Sequence, residues 1–400
     1  MSESSVSHPA PPESAVRAAA GGAGGGPGRP SWYRRPGGYL TAAAAVVLLA
    51  IPFYVEVFWL QAGLFAMAAA IGAIGLNLLT GATGQLSLGH AFFIAVGAYG
   101  YVAMAAEPAG GGGELLGLGL PTPVAMVGAV LLAGLAGLAF SPIAGRVSGI
   151  YLGIASIALV FIGQHLLFNA ASVTGGFNGR IVPEFTLLGL SFADTPELVL
   201  AGVPFGALER LWYLGLALAA GSALFARGVL RGRPGRAMNT IRDHPTAAAV
   251  IGIPVARYRA GVFVLSSMYA GLSGVLLALV FQQTVPDYFD LFLSLDYLAM
   301  IVIGGLGSVG GAVLGGVFVA LLPQVLTRYA DSLPLVVAAG TGDGLAPAEA
   351  ARILYGAAVV AVVLFIPGGL LPLWQRCRDA VARPRPNSAP PPSDDKEKTR

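Results

Sequence analysis

The sequence has almost no cysteine and few charged residues. Cys377 is the one cysteine among 400 residues, which excludes a disulfide framework and a metal site built from several cysteines. Charged residues make up 11% of the chain, whereas hydrophobic residues make up 56%. A water-soluble particle of this size needs more polar surface than that. The composition therefore excludes an ordinary soluble globular protein and indicates that lipid is the main solvent.

Patterns typical of enzymes are also missing. The stretches "GATGQLSLG" and "GGLGSVGG" lack the Gly-Lys-Ser/Thr ending of a phosphate loop, so we do not expect the chain to bind ATP itself. Its arginine cluster lacks interleaved aromatic residues, so no nucleic-acid partner is expected. The histidines have no metal-ligand spacing, so no metal site is expected. We therefore expect no catalytic residues and no cofactor in this chain. The four histidines are His8, His90, His165 and His244.

Long apolar runs predict membrane-spanning helices. A span needs about 20 mostly apolar residues, and the alternating strands of a membrane β-barrel are absent from the sequence. The 57 glycines suit close helix packing in lipid. The predicted fold is an all-α polytopic membrane protein with about ten transmembrane helices. The apolar windows are 39–58, 60–79, 88–106, 122–140, 149–169, 210–228, 259–282, 294–307, 311–326 and 350–371.

The basic residues predict the orientation. With both termini in the cytoplasm, nineteen of the 23 lysines and arginines fall on the cytoplasmic side, as the positive-inside rule requires. The transmembrane domain then spans residues 37–374, with the largest cytoplasmic loop at 229–258 and the largest outer loop at 170–209. Segments 1–36 and 375–400 are polar and rich in proline, and we expect both to be disordered cytoplasmic extensions.

The cytoplasmic loop contains a short helix between two prolines, in "GRAMNTIRDHPTAAAVIGIPVARYRAG". Pro245 should end one helix near Asp243 and open another, with Asp243 or His244 as the cap. Gly252 suits the left-handed position after the helix. The new helix has about seven residues, near 10 Å, and an apolar Ala, Val and Ile face. A groove on a cytoplasmic partner would cover that face. The alternative is a loop whose arginines bind anionic membrane lipid.

Two glycine-punctuated breaks interrupt the apolar runs. In the first, Gly84, Gln85, Ser87 and His90 place polar groups at membrane depth, which is typical of a substrate pathway. Hydrogen bonding between neighbouring helices is the alternative. The second break, residues 303–311, is either a discontinuous helix or a tight turn between closely crossing helices.

Five segments in order resemble one transporter family. The chain over about residues 60–372 resembles the LivM-type permease of branched-chain amino acid ABC transporters. The segments are the loop quoted above with the span that follows it, "LTGATGQLSLGHAFFIAVGAY", "GIYLGIASIALVFIGQHLLFN" with "VTGGFNG", "SLDYLAMIVIGGLGSVGGAVLGGVFVALLP" and "FIPGGLL".

The resemblance implies a multi-pass subunit of the bacterial inner membrane. It would pair with a homologous second permease subunit, two ATPase subunits that hold ATP and Mg, and a periplasmic solute-binding protein. The solute would be leucine, isoleucine or valine. The short cytoplasmic helix would be the coupling helix seated on the ATPase. The residues expected in this coupling loop are Gly235, Arg236, Arg242, Asp243, Pro245, Ala247, Ala248, Ile251 and Gly252.

One local pattern departs from the family. Acidic residues are common around its coupling helix, whereas here Asp243 is the single acid and Pro245 and Ala249 occupy later positions. On the outer side, the "VTGGFNG" loop would face the solute-binding protein, or it is an ordinary exposed loop. Its residues are Thr174, Gly175, Gly176, Asn178 and Gly179.

Two alternative functions stay open at this stage. A permease of the same family carrying urea or short amides would have the same architecture. A stand-alone secondary transporter would need ionisable residues deep in its spans, for which His90 is the best candidate in the sequence.

Overall fold

The computed structural model describes residues 36–108, 115–147, 149–187, 189–192, 198–200, 203–329 and 346–365. The extensions expected to be disordered lie outside these residues, apart from Pro36. By its contacts the chain divides into a large unit, residues 49–381, and a small one made of 1–48 and 382–400. Of the small unit, only the first part of one helix is described, so the account below concerns the large unit.

Helices, most of them apolar, build almost all of the described chain. Each of the ten predicted apolar windows overlaps one of them. They are α1 Pro36–Tyr54, α2 Val57–Thr83, α3 His90–Ala105, α4 Thr122–Arg146, α5 Ile150–Asn169, α6 Ala171–Thr174, α7 Ala207–Arg231, α8 Arg233–Asp243, α9 Pro245–Val250, α10 Val255–Phe281, α11 Leu291–Gly304, α12 Val309–Arg328 and α13 Pro347–Phe365.

Among the described residues, six helices are long and apolar enough to cross a membrane: α2, α4, α5, α7, α10 and α12. Helices α3 and α11 are apolar but have only 16 and 14 residues. Since a residue rises 1.5 Å along a helix, these two are shorter than a full hydrocarbon core. Each of them adjoins one of the glycine-rich breaks.

The loop at 170–209 departs from a purely helical fold. Its strands β2 and β3 pair antiparallel, as do β4 and β5, and its strand β1 pairs with β6, which follows α10. Loop backbone groups need hydrogen-bond partners, and these ladders supply them. The strands are β1 Arg180–Ile181, β2 Thr186–Leu187, β3 Leu190–Ser191, β4 Leu198–Leu200, β5 Val203–Phe205 and β6 Gln283–Thr284.

Helices α2 and α10 form the centre of the bundle. The apolar stretch of α2 is 89% buried and that of α10 is 72% buried, compared with 17% for α7. Glycines allow the closest approaches. A Cβ atom on Gly97 of α3 would lie 2.2 Å from the carbonyl oxygen of Gly271 in α10. The high glycine content therefore serves backbone-to-backbone packing, as expected for helices in lipid.

Candidate functional site

The loop at 229–258 folds with the boundaries that its prolines predict. Helix α8 ends at Asp243 and α9 begins at Pro245. Gly252 has a φ of 85°, which is the predicted left-handed conformation. His244 is the N-cap residue of α9, which is one of the two predicted positions, but its side chain makes no capping hydrogen bond. The Asp243 carboxylate instead accepts a hydrogen bond of 3.0 Å from Arg242 Nε, because a charged donor makes a stronger bond than a backbone N–H.

The two faces of α9 have different surroundings. Ala248 is fully buried against its own chain, whereas Val250 is 87% exposed and Ile251 is 69% exposed. Ala247 is exposed as well. Ala248, expected to contact a partner, therefore holds the helix onto the bundle. The exposed apolar side chains available to a partner include Ala247, Ala249, Val250 and Ile251.

Gly235 sets the sharp turn between α7 and α8. A Cβ atom at this position would lie 1.9 Å from the carbonyl oxygen of Leu230, so only glycine fits. Arg236, on the following turn of α8, is exposed. The loop thus leaves the bundle through a fixed bend and presents its basic residues to water.

Arg242 ties this loop to the centre of the bundle. Its Nη1 donates a 3.0 Å hydrogen bond to the carbonyl oxygen of Gly81, near the end of α2. A Cβ atom on Gly81 would lie 2.3 Å from the backbone nitrogen of Gly307. Asn77 accepts from Gly307 N and donates to Ser308 O, both at 2.8 Å. The loop at 229–258, the end of α2 and the turn at 305–308 are therefore one connected structure, here called the inner cluster.

The second glycine-rich break is a tight turn between helices α11 and α12. Gly305 and Gly307 have φ values of 113° and 81°, and Ser308 caps α12 by accepting from Gly311 N at 3.2 Å. The two helices cross closely, because a Cβ atom on Gly315 would lie 1.8 Å from the carbonyl oxygen of Met300. Of the two interpretations of this break, the turn is confirmed.

The first break, residues 84–89, leaves α2 through Gly84, which has a φ of 71°. Gln85 is buried, and its Nε2 donates to Thr83 Oγ1 at 3.0 Å and to Arg259 O at 3.3 Å. The N–H of Leu88 bonds Ser156 Oγ at 2.8 Å. These bonds anchor the break to α5 and α10. Among the described residues, Gln85 Oε1 is buried and has no partner.

Ser87 and His90 lie deeper in the same region. His90 Nε2 is 3.0 Å from the carbonyl oxygen of Gly72, and its ring centroid is 5.0 Å from that of Tyr297. Ser87 Oγ accepts from Gly89 N at 3.4 Å. The side chains of Gln85, Ser87 and His90 are at most 3% exposed. The structure thus brings the predicted pathway residues together in a region closed to solvent, where their contacts join neighbouring helices.

The outer loop is a rigid structure held by internal hydrogen bonds. Thr174 is buried and donates to Leu167 O at 2.6 Å, and Gly175, Gly176 and Gly179 all have positive φ. Arg180 donates to Leu116 O and Val173 O at 2.8 and 2.9 Å. Desolvation lowers the pKa of this guanidinium below its ordinary value, but arginine remains charged.

Two large apolar side chains project from this loop. Phe177 is 78% exposed and Ile181 is 83% exposed, while the carbonyl oxygen of Asn178 accepts from Gln283 Nε2 at 3.1 Å. The predicted glycines thus shape the loop, and Phe177 and Ile181 are exposed apolar side chains on it, here called the outer patch. Sequence reasoning did not single out either residue.

A cavity of about 200 Å³ lies between α2, α10, α11, α12 and α13. The residues that line it were not identified from the sequence. Its charged residues are Asp296 and Arg352. Asp296 interrupts the apolar run "LFLSLDYLAMIVIG" of α11. A carboxylate inside an apolar helix is costly and usually functional, so this interruption was the available signal.

The long apolar helices define a class, the multi-pass helical membrane proteins. A family model described as "Branched-chain amino acid transport system / permease component" matches residues 58–363. The chain therefore belongs to this permease family, as the resemblance of its motifs implied.

Individual relatives agree with the family match. The chain is 27% identical over 342 residues to the high-affinity branched-chain amino acid transport system permease protein LivM of Escherichia coli (strain K12), covering 83% of this chain and 74% of the relative. It is 26% identical over 277 residues to LivH of the same strain, covering 65% of this chain and 82% of the relative. The comparison with solved structures gives no match.

Proposed function

We propose that this chain is a permease subunit of an ATP-binding cassette importer for branched-chain amino acids, in the inner membrane of a bacterium. Its partners would be a homologous second permease, two ATPase subunits that hold ATP and Mg, and a periplasmic solute-binding protein. The names of the LivM and LivH relatives support both the amino-acid substrate and the pairing of two permeases. The chain itself would carry out no hydrolysis.

The observation that carries this proposal is the exposed apolar end of α9. Val250, the last residue of this six-residue helix, and Ile251, which follows it, are both largely exposed. A helix of this length is too short to be stable alone in water. Burying two such side chains in a groove of a partner is worth a few kcal/mol, at about 1.5–3 kcal/mol for each complete burial. A cytoplasmic ATPase that binds this end would also hold the helix in place.

Motion at α9 would reach the bundle through the inner cluster. Closure of the ATPases would displace α9 and, with it, Arg242 at the end of α8. The Arg242–Gly81 hydrogen bond and the Asn77 bonds to Gly307 and Ser308 would carry the displacement to α2 and to the turn between α11 and α12. The spans would then alternate between outward and inward access.

We assign the loop carrying α9 to the cytoplasm and the outer patch to the periplasm, with ten spans and both termini cytoplasmic. The distribution of basic residues supports this orientation. In it, the solute-binding protein would dock on Phe177 and Ile181. A pair of exposed apolar anchors on a rigid loop is a suitable binding hot spot.

Purification of the tagged chain from cells that express the whole transporter tests the proposal. We expect the second permease and two ATPases to co-purify, and the reconstituted complex to take up leucine only with ATP and the binding protein. Recovery of the chain alone in a transport-active form would refute the ABC assignment. Uptake of urea but not of leucine would keep the architecture and change the substrate.

One observation favours the alternative of a secondary transporter. Asp296 is an ionisable group within the apolar helix α11, a common feature of proton-coupled carriers. Such a carrier would take up solute in ATP-free liposomes under a proton gradient. We favour the ABC importer because a carrier has no need of the exposed end of α9.

A further inference from the structure

The cavity near Asp296 lies toward the outer half of the proposed orientation. It is lined by residues in the N-terminal half of α2 and α13, by the C-terminal part of α10 and α12, and by α11 from Leu293 to Met300. Its volume of about 200 Å³ is below the roughly 300–1,000 Å³ typical of sites for drug-sized ligands. A small solute therefore matches this space better than a peptide does. Most of the wall is apolar, with Phe65, Leu277, Phe281, Leu293, Met300 and Val319 as the largest contributors.

The polar part of the cavity offers one acid. Tyr355 Oη donates a hydrogen bond to Asp296 Oδ1, which fixes the carboxylate. Among the described residues, no donor bonds the second oxygen, Oδ2. This oxygen is available to accept from an ammonium group, and such a charge-assisted bond is strongest in a site with little water.

The opposite charge comes from the neighbouring helix. Arg352 lies one turn before Tyr355 on α13, so both side chains face the same side of that helix. Its guanidinium carbon lies 4.6 Å above the ring centroid of Phe292, and in the described residues it forms no ion pair with Asp296. The planar guanidinium suits a carboxylate, which it can bind through two parallel bonds.

We propose that this cavity binds an α-amino acid with an aliphatic side chain. Asp296 accepts from the α-ammonium group, Arg352 donates to the α-carboxylate, and the side chain packs against the apolar wall. An acid and a base that form no ion pair with each other in one small, mostly apolar cavity match a zwitterion, since a neutral amide such as urea would supply no charge to either of them. The assignment of the solute as a branched-chain amino acid rests on the proposed function.

The test measures binding of radiolabelled leucine to the purified complex in lipid nanodiscs, without ATP or the binding protein. Two analogues, leucinamide and 4-methylpentanoate, lack the carboxylate and the ammonium group respectively. We expect each analogue to compete at least about tenfold more weakly than leucine, because each leaves one charged partner without its bond. Equal competition by leucine and 4-methylpentanoate would overturn the role of Asp296.

Variants separate this site from the function as a whole. Asp296→Asn and Arg352→Gln should each weaken leucine binding at least about tenfold, whereas Glu349→Gln, at an exposed acid one turn before Arg352, should change it less than twofold. Arg352 is exposed, so its variant should fold even if the Asp296 variant does not. Normal binding by Arg352→Gln would overturn the site, while ATP-dependent leucine uptake by the wild-type complex would leave the proposed function standing. A wild-type complex that neither binds nor transports leucine would overturn both.

Discussion

The guanidinium of Arg242 donates a hydrogen bond of 3.0 Å to the carbonyl oxygen of Gly81, across 161 positions of sequence. Arg242 is the last residue but one of α8, and Gly81 lies in the last turn of α2. The bond therefore joins the segment that would meet an ATPase to the most buried helix of the bundle. It also places Arg242 beside Gly307, in the turn between α11 and α12.

Removal of this bond should uncouple the transporter more than it destabilises the chain. The Arg242 side chain is 41% exposed, so Arg242→Ala should cost only about 1 kcal/mol of stability. We expect the stimulation of ATP hydrolysis by the loaded binding protein to fall several-fold, measured on the reconstituted complex. Arg233→Ala, an exposed arginine in the first turn of α8, is the control. An equal loss of stimulation in both variants would argue against a specific role for Arg242.

The exposed end of α9 should decide ATPase docking. Val250→Asp places a charge where the proposed groove is apolar, so we expect the ATPase subunits to be lost from a pull-down of the tagged chain while membrane insertion is unchanged. Val250→Ile keeps the apolar surface and should retain them. Full ATPase recovery with Val250→Asp would contradict docking at this end of the helix.

The two neighbouring alanines of α9 should respond differently to enlargement. Ala248 is fully buried, so Ala248→Leu should overpack the loop and cost about 1–3 kcal/mol. Ala247 is exposed, and Ala247→Leu should change stability by less than about 0.5 kcal/mol. Thermal unfolding of the two purified variants in detergent compares them. Equal shifts in Tm would mean that α9 does not pack as described.

Gly81 should tolerate no side chain. Its Cβ would lie 2.3 Å from Gly307 N, so Gly81→Ala must separate α2 from the turn at 305–308, at a cost of about 1–3 kcal/mol. A Cβ on Gly261 of α10 would have no atom within 4 Å, so Gly261→Ala provides a matched helical control. We expect unfolding in detergent to show a lower Tm for Gly81→Ala alone. If Gly81→Ala leaves the Tm unchanged, Gly81 and Gly307 are not packed as closely as described.

The outer patch should matter only when the binding protein is present. Phe177→Ser combined with Ile181→Ser removes two exposed anchors without touching the buried bonds of Thr174 and Arg180. We expect weaker binding of the solute-binding protein, at least about tenfold in Kd if both anchors are hot spots, measured by biolayer interferometry. Val57→Ser changes an exposed apolar residue at the start of α2 and serves as the control. An unaltered Kd for the double variant would place the docking surface elsewhere.

Local chemistry made much of the helical framework predictable. Apolar runs long enough to span a bilayer must be helical there, because backbone groups in lipid have no other partner. Pro245 and Gly252 set the limits of α9, because proline and a left-handed glycine act on their own backbone. The pairing of β1 with β6 could not be predicted from local sequence, because Arg180 and Thr284 pair across about a hundred positions.

By itself, the sequence determined the lipid environment, the helices, the ends of the loop helix and the family, all of which depend on composition or on neighbouring residues. Only the tertiary structure decided that Ala248 is buried while Val250 and Ile251 are exposed, because a six-residue helix has too few turns to reveal its packing face. It also decided that Arg242 meets Gly81 and that Asp296 shares a cavity with Arg352. These pairs come together through the packing of distant helices, and no local pattern of residues specifies which helix lies beside which.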